Sequence, residues 1–242
     1  MTRRLGLLAC DTIWQPLRSR HGDYADMIAH WLTAAGADFE LHVWAAHEGD
    51  LPAHVDDCDA WLVSGSRAGV YEALPWMASL LDWVRGVYAA GRPQLGICFG
   101  HQLLAEALGG RTLRAPAGWG IGNVVLRLRA TTAGAPTREA LSLYMAHQDQ
   151  VVTLPPGATW LAETEHCAHA MFAMGDRVLG LQAHPEFTAD FMREMTCEDA
   201  FPLRPEHRAA ALASYDAPVD ATAAGRWAAA FLGLDCGRPA RD

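Results

Sequence analysis

The sequence predicts an α/β fold: a doubly wound, mostly parallel central sheet flanked by helices, with a small antiparallel sheet inserted. Three observations predict it. Short, wholly apolar runs alternate with segments of helical period over the first hundred or so residues, the mark of strands buried on both faces. One of those runs passes straight into a helix through the segment Gly96-Ile97-Cys98-Phe99-Gly100. From Arg111 the pattern changes to short alternating stretches broken by glycines, which reads as antiparallel strands and turns.

The elements follow in order. Leu5–Cys10 is the first buried strand. Tyr24, Met27, Ile28, Trp31, Leu32 and Ala35 fall at helical spacing, and Gly36 stops that helix. Phe39–Ala45 alternates and forms the second strand; Ala60–Val63 is the third and ends in Ser64-Gly65-Ser66. Pro75 opens a helix whose apolar face is Met77, Leu80, Leu81, Val84, Val87 and Tyr88, closed by Gly91. Gln94–Cys98 is the fourth strand, and Phe99–Leu108 the helix after it, ended by Gly109-Gly110. Antiparallel strands fill Arg111 to about Thr132. Met171–Ala173 and Val178–Gln182 form a pair about the Gly175-Asp176 turn, and after Pro185 the chain is mostly helical. No linker composition or internal repeat divides the 242 residues, so one domain is expected over the whole length.

Composition excludes several classes. At 51% hydrophobic and 19% charged residues the chain is an ordinary globular sequence, not a disordered or collagenous one. The net charge is −9 and no basic run occurs, which argues against nucleic acid or an anionic membrane as partner. All 19 basic residues are Arg, so no chemistry built on a lysine is available: no phosphate-loop lysine, no Schiff base. The six cysteines make no C-x-x-C pair, the apolar run near the start is too short for a signal core, and no stretch approaches the roughly 20 residues of a membrane span. A reduced, cytoplasmic protein is expected.

The chemistry concentrates at Cys98. A G-x-C-x-G segment at a strand-to-helix junction is the cysteine form of a nucleophile elbow. The tight turn lifts the sulfur above the sheet. Side chains two before and two after it would collide with backbone, hence Gly96 and Gly100. The helix beginning at Phe99 aims free N–H groups at the sulfur and favours thiolate. A thiolate nucleophile needs a base, and the base needs an orienting group. Among eleven histidines, His184 follows an apolar strand and so faces the crevice at the carboxyl ends of the strands. Glu186, two residues on, can accept its Nδ1–H.

These residues carry a resemblance. Gly96-Ile97-Cys98-Phe99-Gly100-His101-Gln102, with His184-Pro185-Glu186 late in the chain, resembles the class I glutamine amidotransferases, and within them the glutaminase domain of GMP synthases and its free-standing relatives. Val63-Ser64-Gly65-Ser66 with Val70-Tyr71-Glu72, Gly118-Trp119-Gly120-Ile121-Gly122, Ala146-His147-Gln148-Asp149-Gln150-Val151 and Leu154-Pro155-Pro156-Gly157-Ala158 extend the likeness over about 5–190, the tail to 242 being less specific. The resemblance implies a flavodoxin-like sheet and a mechanism. Cys98 attacks the glutamine side-chain amide, and His184, held by Glu186, moves the proton. Backbone N–H groups of Phe99 and of Gly65 or Ser66 take the oxyanion, and a γ-glutamyl thioester is then hydrolysed with release of ammonia and glutamate. Gln102, His147, Gln148 and Asp149 would line the pocket for the amino-acid end of the substrate. No cofactor and no metal are expected.

Two departures bear on substrate. Arg67 stands where the family often has Pro, leaving the loop either looser or able to bind a carboxylate. Ala183 replaces a larger residue before the histidine, which would enlarge the pocket. No Ser-Gly-Gly-x-Asp-Ser phosphate loop occurs, so the expectation is that the chain does not make GMP alone. Either a synthase partner accepts ammonia in trans, or γ-glutamyl compounds are hydrolysed for their own sake by a peptidase or hydrolase; a non-catalytic binding protein is the third reading. His166, Cys167 and His169 are read as a polar turn and not a metal site, His101 as packing, Trp31, Trp44, Trp61 and Trp83 as core, and the helix around Trp227 and Phe231 as packed on the sheet.

Overall fold

The computed structural model describes residues 2–198 and 203–236, the side chains of Asp235 and Cys236 excepted; residues 237–242 of the tail lie outside the described residues. The chain begins with β1 (Arg3–Leu8), a short helix α1 (Leu17–His21), α2 (Tyr24–Ala34) and β2 (Ala37–Trp44). There follow β3 (Ala60–Val63), α3 (Pro75–Ala89), β4 (Gln94–Ile97) and α4 (Phe99–Ala107). A run of strands comes next: β5 (Arg111–Arg114), β6 (Gly120–Leu128), β7 (Ala140–His147), β8 (Asp149–Thr153), β9 (Thr159–Glu163), β10 (Met171–Met174) and β11 (Val178–Leu181). The described chain ends with α5 (Ala189–Cys197), α6 (Pro205–Ser214), α7 (Ala221–Phe231) and β12 (Asp235–Cys236).

The sheet order is β12-β2-β1-β3-β4-β11-β10-β9-β6-β7. The five strands from β2 to β11 run parallel, whereas β10, β9, β6 and β7 extend the same sheet antiparallel. The inserted antiparallel pair is β5 with β8, a separate two-stranded sheet. Most of the antiparallel region is thus an extension of the main sheet. The sequence reading passes over β7 although Leu141, Leu143 and Met145 alternate into the core along it; β8 and β9 bury only Val151 and Leu161-Ala162, too few residues to show a period.

Burial explains the parallel centre. Every residue of β3, β4 and β11 is buried. Alternate side chains go to opposite faces. Leu5, Leu7, Leu62 and Ile97 meet α2 and α7 on one face; Leu8, Trp61 and Val63 meet α3 and α4 on the other. Trp61 is fully buried and lies between Trp44 and Trp83, at ring-centroid distances of 5.4 and 4.5 Å. Trp31 packs in the first layer and donates to the Ala221 carbonyl at 2.9 Å, tying α2 to α7. The strands β4 and β11 are neighbours in register Leu181↔Ile97, which brings residues 98 and 182–184 to one end of the sheet. Among the described residues no helix is long and apolar enough to cross a membrane.

Candidate active site

The elbow is built by two close approaches. A Cβ on Gly96 would lie 2.4 Å from the carbonyl carbon and oxygen of Gly100, and one on Gly100 would lie 2.2 Å from the Val63 carbonyl oxygen. With both glycines the chain turns so sharply that Cys98 takes φ 51°, ψ −102°, a strained conformation for a residue with a side chain. Its N–H donates to the Leu181 carbonyl at 2.8 Å, fixing the elbow to β11. Phe99 is the first residue of α4, so its N–H has no acceptor within the helix. Its ring packs on Trp76 at 5.7 Å.

His184 hangs on the end of β11, its N–H donating to the Tyr144 carbonyl at 2.8 Å. Its Nδ1 lies 2.8 Å from Glu186 Oε1, with both side chains buried. The ring stacks on Phe187 at 4.2 Å with the planes 5° apart. Burial alone would pull the imidazole below its ordinary value. The charges of Cys98 and Glu186, with hydrogen bonds to both, overcome it and hold the imidazole well above that value. The direction is that of an imidazolium placed between a sulfur and a carboxylate. Gly65 closes on the same ring: a Cβ there would lie 3.1 Å from His184 Cε1 and 3.5 Å from the Tyr24 hydroxyl.

A cavity of about 290 Å³ opens over Cys98 and His184. One wall is polar. Gln102 is buried, and its Nε2 donates to the Asp149 carbonyl at 2.8 Å and to Gln182 Oε1 at 3.1 Å. Gln182 Nε2 in turn lies 3.5 Å from Cys98 Sγ. Asp149 accepts the Tyr71 hydroxyl at 2.8 Å, and burial holds its carboxyl above the usual range. Arg114 donates to Gln148. His147 contributes Nδ1 to the Asp149 carbonyl at 3.1 Å, so that nitrogen carries the proton; burial pushes the ring down to about 3, and it stays neutral. All four residues expected around the amino-acid end of a substrate, Gln102, His147, Gln148 and Asp149, therefore line this cavity.

The opposite wall is apolar, formed by Ile13, Trp14, Phe187, Phe191 and Met195. Ser66 lies at the rim with Arg67. Arg67 resolves one departure. It binds a carboxylate, and that carboxylate belongs to Asp11 of the same chain: Nε to Oδ2 at 2.8 Å, Nη2 to Oδ1 at 2.6 Å, and the Arg67 N–H to Oδ2 at 2.9 Å. Burial would raise the Asp11 carboxyl, but these bonds hold it below its ordinary value. The Ser66–Arg67 loop is thereby stapled to the chain after β1 without a proline. Ala183 corrects the other expectation: it is fully buried and contributes no wall to the cavity, so its small size does not widen it.

The remaining candidates fall away from the cleft. His101 is fully buried against Phe172 at 5.1 Å, and burial lowers it to about 3. His166 and His169 each spend a ring nitrogen on a backbone carbonyl, of Gly118 at 3.2 Å and of Val151 at 2.9 Å, and no group of three metal-ligating side chains occurs among the described residues. The sequence reading missed Gln182, Tyr24, Arg114 and Trp14. Only Gln182 carried a signal there, an uncharged polar residue at the end of an otherwise apolar strand.

Comparison with known proteins shows the family. The family model of the class-I glutamine amidotransferases matches residues 21–201, and the chain belongs to that family. A glutamine amidotransferase-like protein of Schizosaccharomyces pombe is 29% identical over 209 residues, covering 81% of this chain and 84% of that protein. Gamma-glutamyl peptidase 3 of Arabidopsis thaliana is 28% identical over 200 residues, 79% of each chain. The GMP synthase of Thermomicrobium roseum is 40% identical over 127 residues, 52% of this chain and 23% of that much longer protein. Among solved structures, a glutamine amidotransferase from Methylobacillus flagellatus superposes with a TM-score of 0.69 at 24% identity, covering 100% of this chain and 98% of its own.

Proposed function

We propose that the chain hydrolyses the side-chain amide of glutamine through a Cys98-His184-Glu186 triad. Cys98 Sγ attacks the amide carbon as His184 holds the thiol proton. The oxyanion is met by N–H groups of Phe99 and of Gly65 or Ser66. The C–N bond breaks as His184 passes its proton to the leaving amine, giving ammonia and a γ-glutamyl thioester. Water, deprotonated by His184, then attacks the thioester and releases glutamate and the thiol. Glu186 keeps Nδ1 protonated and Nε2 turned to the sulfur. The observation that carries this reading is the buried His184–Glu186 hydrogen bond beside a strained elbow cysteine on the floor of a cavity. The ammonia would pass to an acceptor synthase in trans, as the likeness to about a quarter of the GMP synthase of Thermomicrobium roseum suggests, in a reduced, cytoplasmic setting.

The test is intact-mass analysis after treatment with a glutamine-analogue diazoketone. One adduct per chain is expected, absent in Cys98→Ala. No adduct, or an adduct that survives that substitution, overturns the triad.

A second reading, a γ-glutamyl peptidase, is favoured by the likeness to gamma-glutamyl peptidase 3 along 79% of each chain and by the apolar wall, which ammonia does not need. Glutamate release from glutamine and from γ-glutamyl dipeptides, compared as kcat/KM, separates the two.

A further inference from the structure

The two walls of the cavity differ in chemistry, and the proposed mechanism says which end of a substrate meets each. The leaving nitrogen must come within hydrogen-bond reach of the imidazole. Whatever that nitrogen carries therefore lies on the His184 side of Cys98. That side is continuous aromatic and aliphatic surface: Phe187 stacks on His184, Phe191 packs on Phe187 at 4.5 Å, and Ile13, Trp14 and Met195 complete the wall. Tyr24 stands at its edge, 6.3 Å from Phe187. The other side of the sulfur carries a run of hydrogen-bonded polar groups, from Gln182 through Gln102 to Asp149, and Arg114 and Glu72 also line the cavity. A zwitterionic α-amino acid head needs an acid and a base, and only this wall has both. The apolar wall has one cation at its rim, Arg67, 5.4 Å above Trp14, and its charge is already met by Asp11. Among the described residues lining that side, no other charged side chain stands to pair with a charged amine substituent.

We propose that the His184 side of the cleft is a leaving-group subsite for an uncharged apolar amine, so that the preferred substrates are γ-glutamyl amides of aromatic or bulky alkyl amines. This rests on the γ-glutamyl chemistry proposed above and specifies its substrate. The steps balance as before. The C–N bond breaks with the imidazolium proton going to the amine nitrogen, water supplies the acyl oxygen, and the products are glutamate and the free amine. Apolar side chains hold the amine substituent out of water, and a flat ring gains most because Trp14 and Phe187 can each offer a face or an edge to it.

The experiment compares glutamine with γ-glutamyl methylamide, γ-glutamyl benzylamide and γ-glutamylglycine on the whole chain. Methylamine and benzylamine are both simple alkylamines, so the benzylamide-to-methylamide ratio reads the subsite more than the bond broken. The kcat/KM for the benzylamide is expected to exceed that for the methylamide by about tenfold or more, what burying part of one ring supplies. The carboxylate-bearing γ-glutamylglycine is expected to fall below both. Trp14→Ala is expected to bring the benzylamide-to-methylamide ratio down toward one, and Trp14→Phe to restore most of it. Equal or better turnover of glutamine or γ-glutamylglycine, or a ratio untouched by Trp14→Ala, overturns the subsite while leaving the triad standing. No turnover of any of the four, with no diazoketone adduct, overturns the triad itself.

Discussion

At the scale of single residues, the site is a chain of polar contacts anchored at both ends. Gln182 reaches the sulfur from one side, and Glu186 holds the imidazole on the other. The second oxygen of Glu186 has no hydrogen-bond partner among the described residues, so the carboxylate is committed to His184. Glu186→Gln keeps the shape and removes the charge that helps hold the imidazole protonated. It should lower kcat by less than His184→Ala, which deletes the base, with losses of about 10²-fold and at least 10³-fold. Steady-state kinetics on the two variants checks the order. The sulfur contributes to the same balance. In Cys98→Ala, NMR titration of His184 should show its pKa fall, because one of the two charges raising it is gone. The sign for stability follows. A pKa raised by folding stabilises fully below about pH 6.5, the unfolded value, and that contribution is lost as pH climbs through the raised value. Denaturant midpoints of the wild type should therefore decline on the alkaline side more steeply than those of Cys98→Ala.

At the scale of elements, the elbow is a junction of three backbone segments, not a property of one turn. Gly100 meets the carbonyl of Val63 in β3, Gly96 meets Gly100, and Cys98 is tied to β11. Gly100→Ala forces a Cβ against a backbone oxygen that cannot rotate away. It should cost about 1–3 kcal/mol or more of stability and displace the sulfur. A lowered Tm together with a kcat loss in the folded fraction is the expected pair of results, and a variant with wild-type Tm would mean the junction gives more easily than its contacts imply. The Ser66 loop is governed the same way, by a contact between elements. Asp11, after β1, fixes Arg67, and the Arg67 charge in turn is spent before it reaches the cleft.

At the scale of the whole molecule, the cleft stands where the parallel centre of the sheet meets its antiparallel extension. β4 delivers Cys98, β11 delivers His184, and the β7–β8 turn delivers the polar wall. The face opposite α2 and α7 carries a separate core in which Trp61 is wedged between two other tryptophans. Trp61→Ala should cost about 3–5 kcal/mol in urea unfolding, since no neighbour can fill the space of an indole. Activity of the folded fraction should change far less, because that core lies on the far side of β3 from the imidazole.

The parallel strands were legible in the sequence because a strand buried on both faces must be apolar throughout, and Ala60–Val63 matches to the residue. The helix of α3 was legible from its spacing and from Pro75 at its start. The elbow was legible because only glycines survive its close approaches. The strands β8 and β9 were not, since each buries only one or two residues, too few to show a period; β7 does alternate, with Leu141, Leu143 and Met145 buried, and was passed over. Local chemistry, then, named the sulfur, the imidazole and the carboxylate. What stands opposite them was decided in three dimensions. Trp14 and Met195 are 181 positions apart yet share one apolar wall, and Asp11 answers Arg67 across 56 positions. Contacts of that kind depend on how helices lie across a sheet, and no local pattern of side chains encodes that distance.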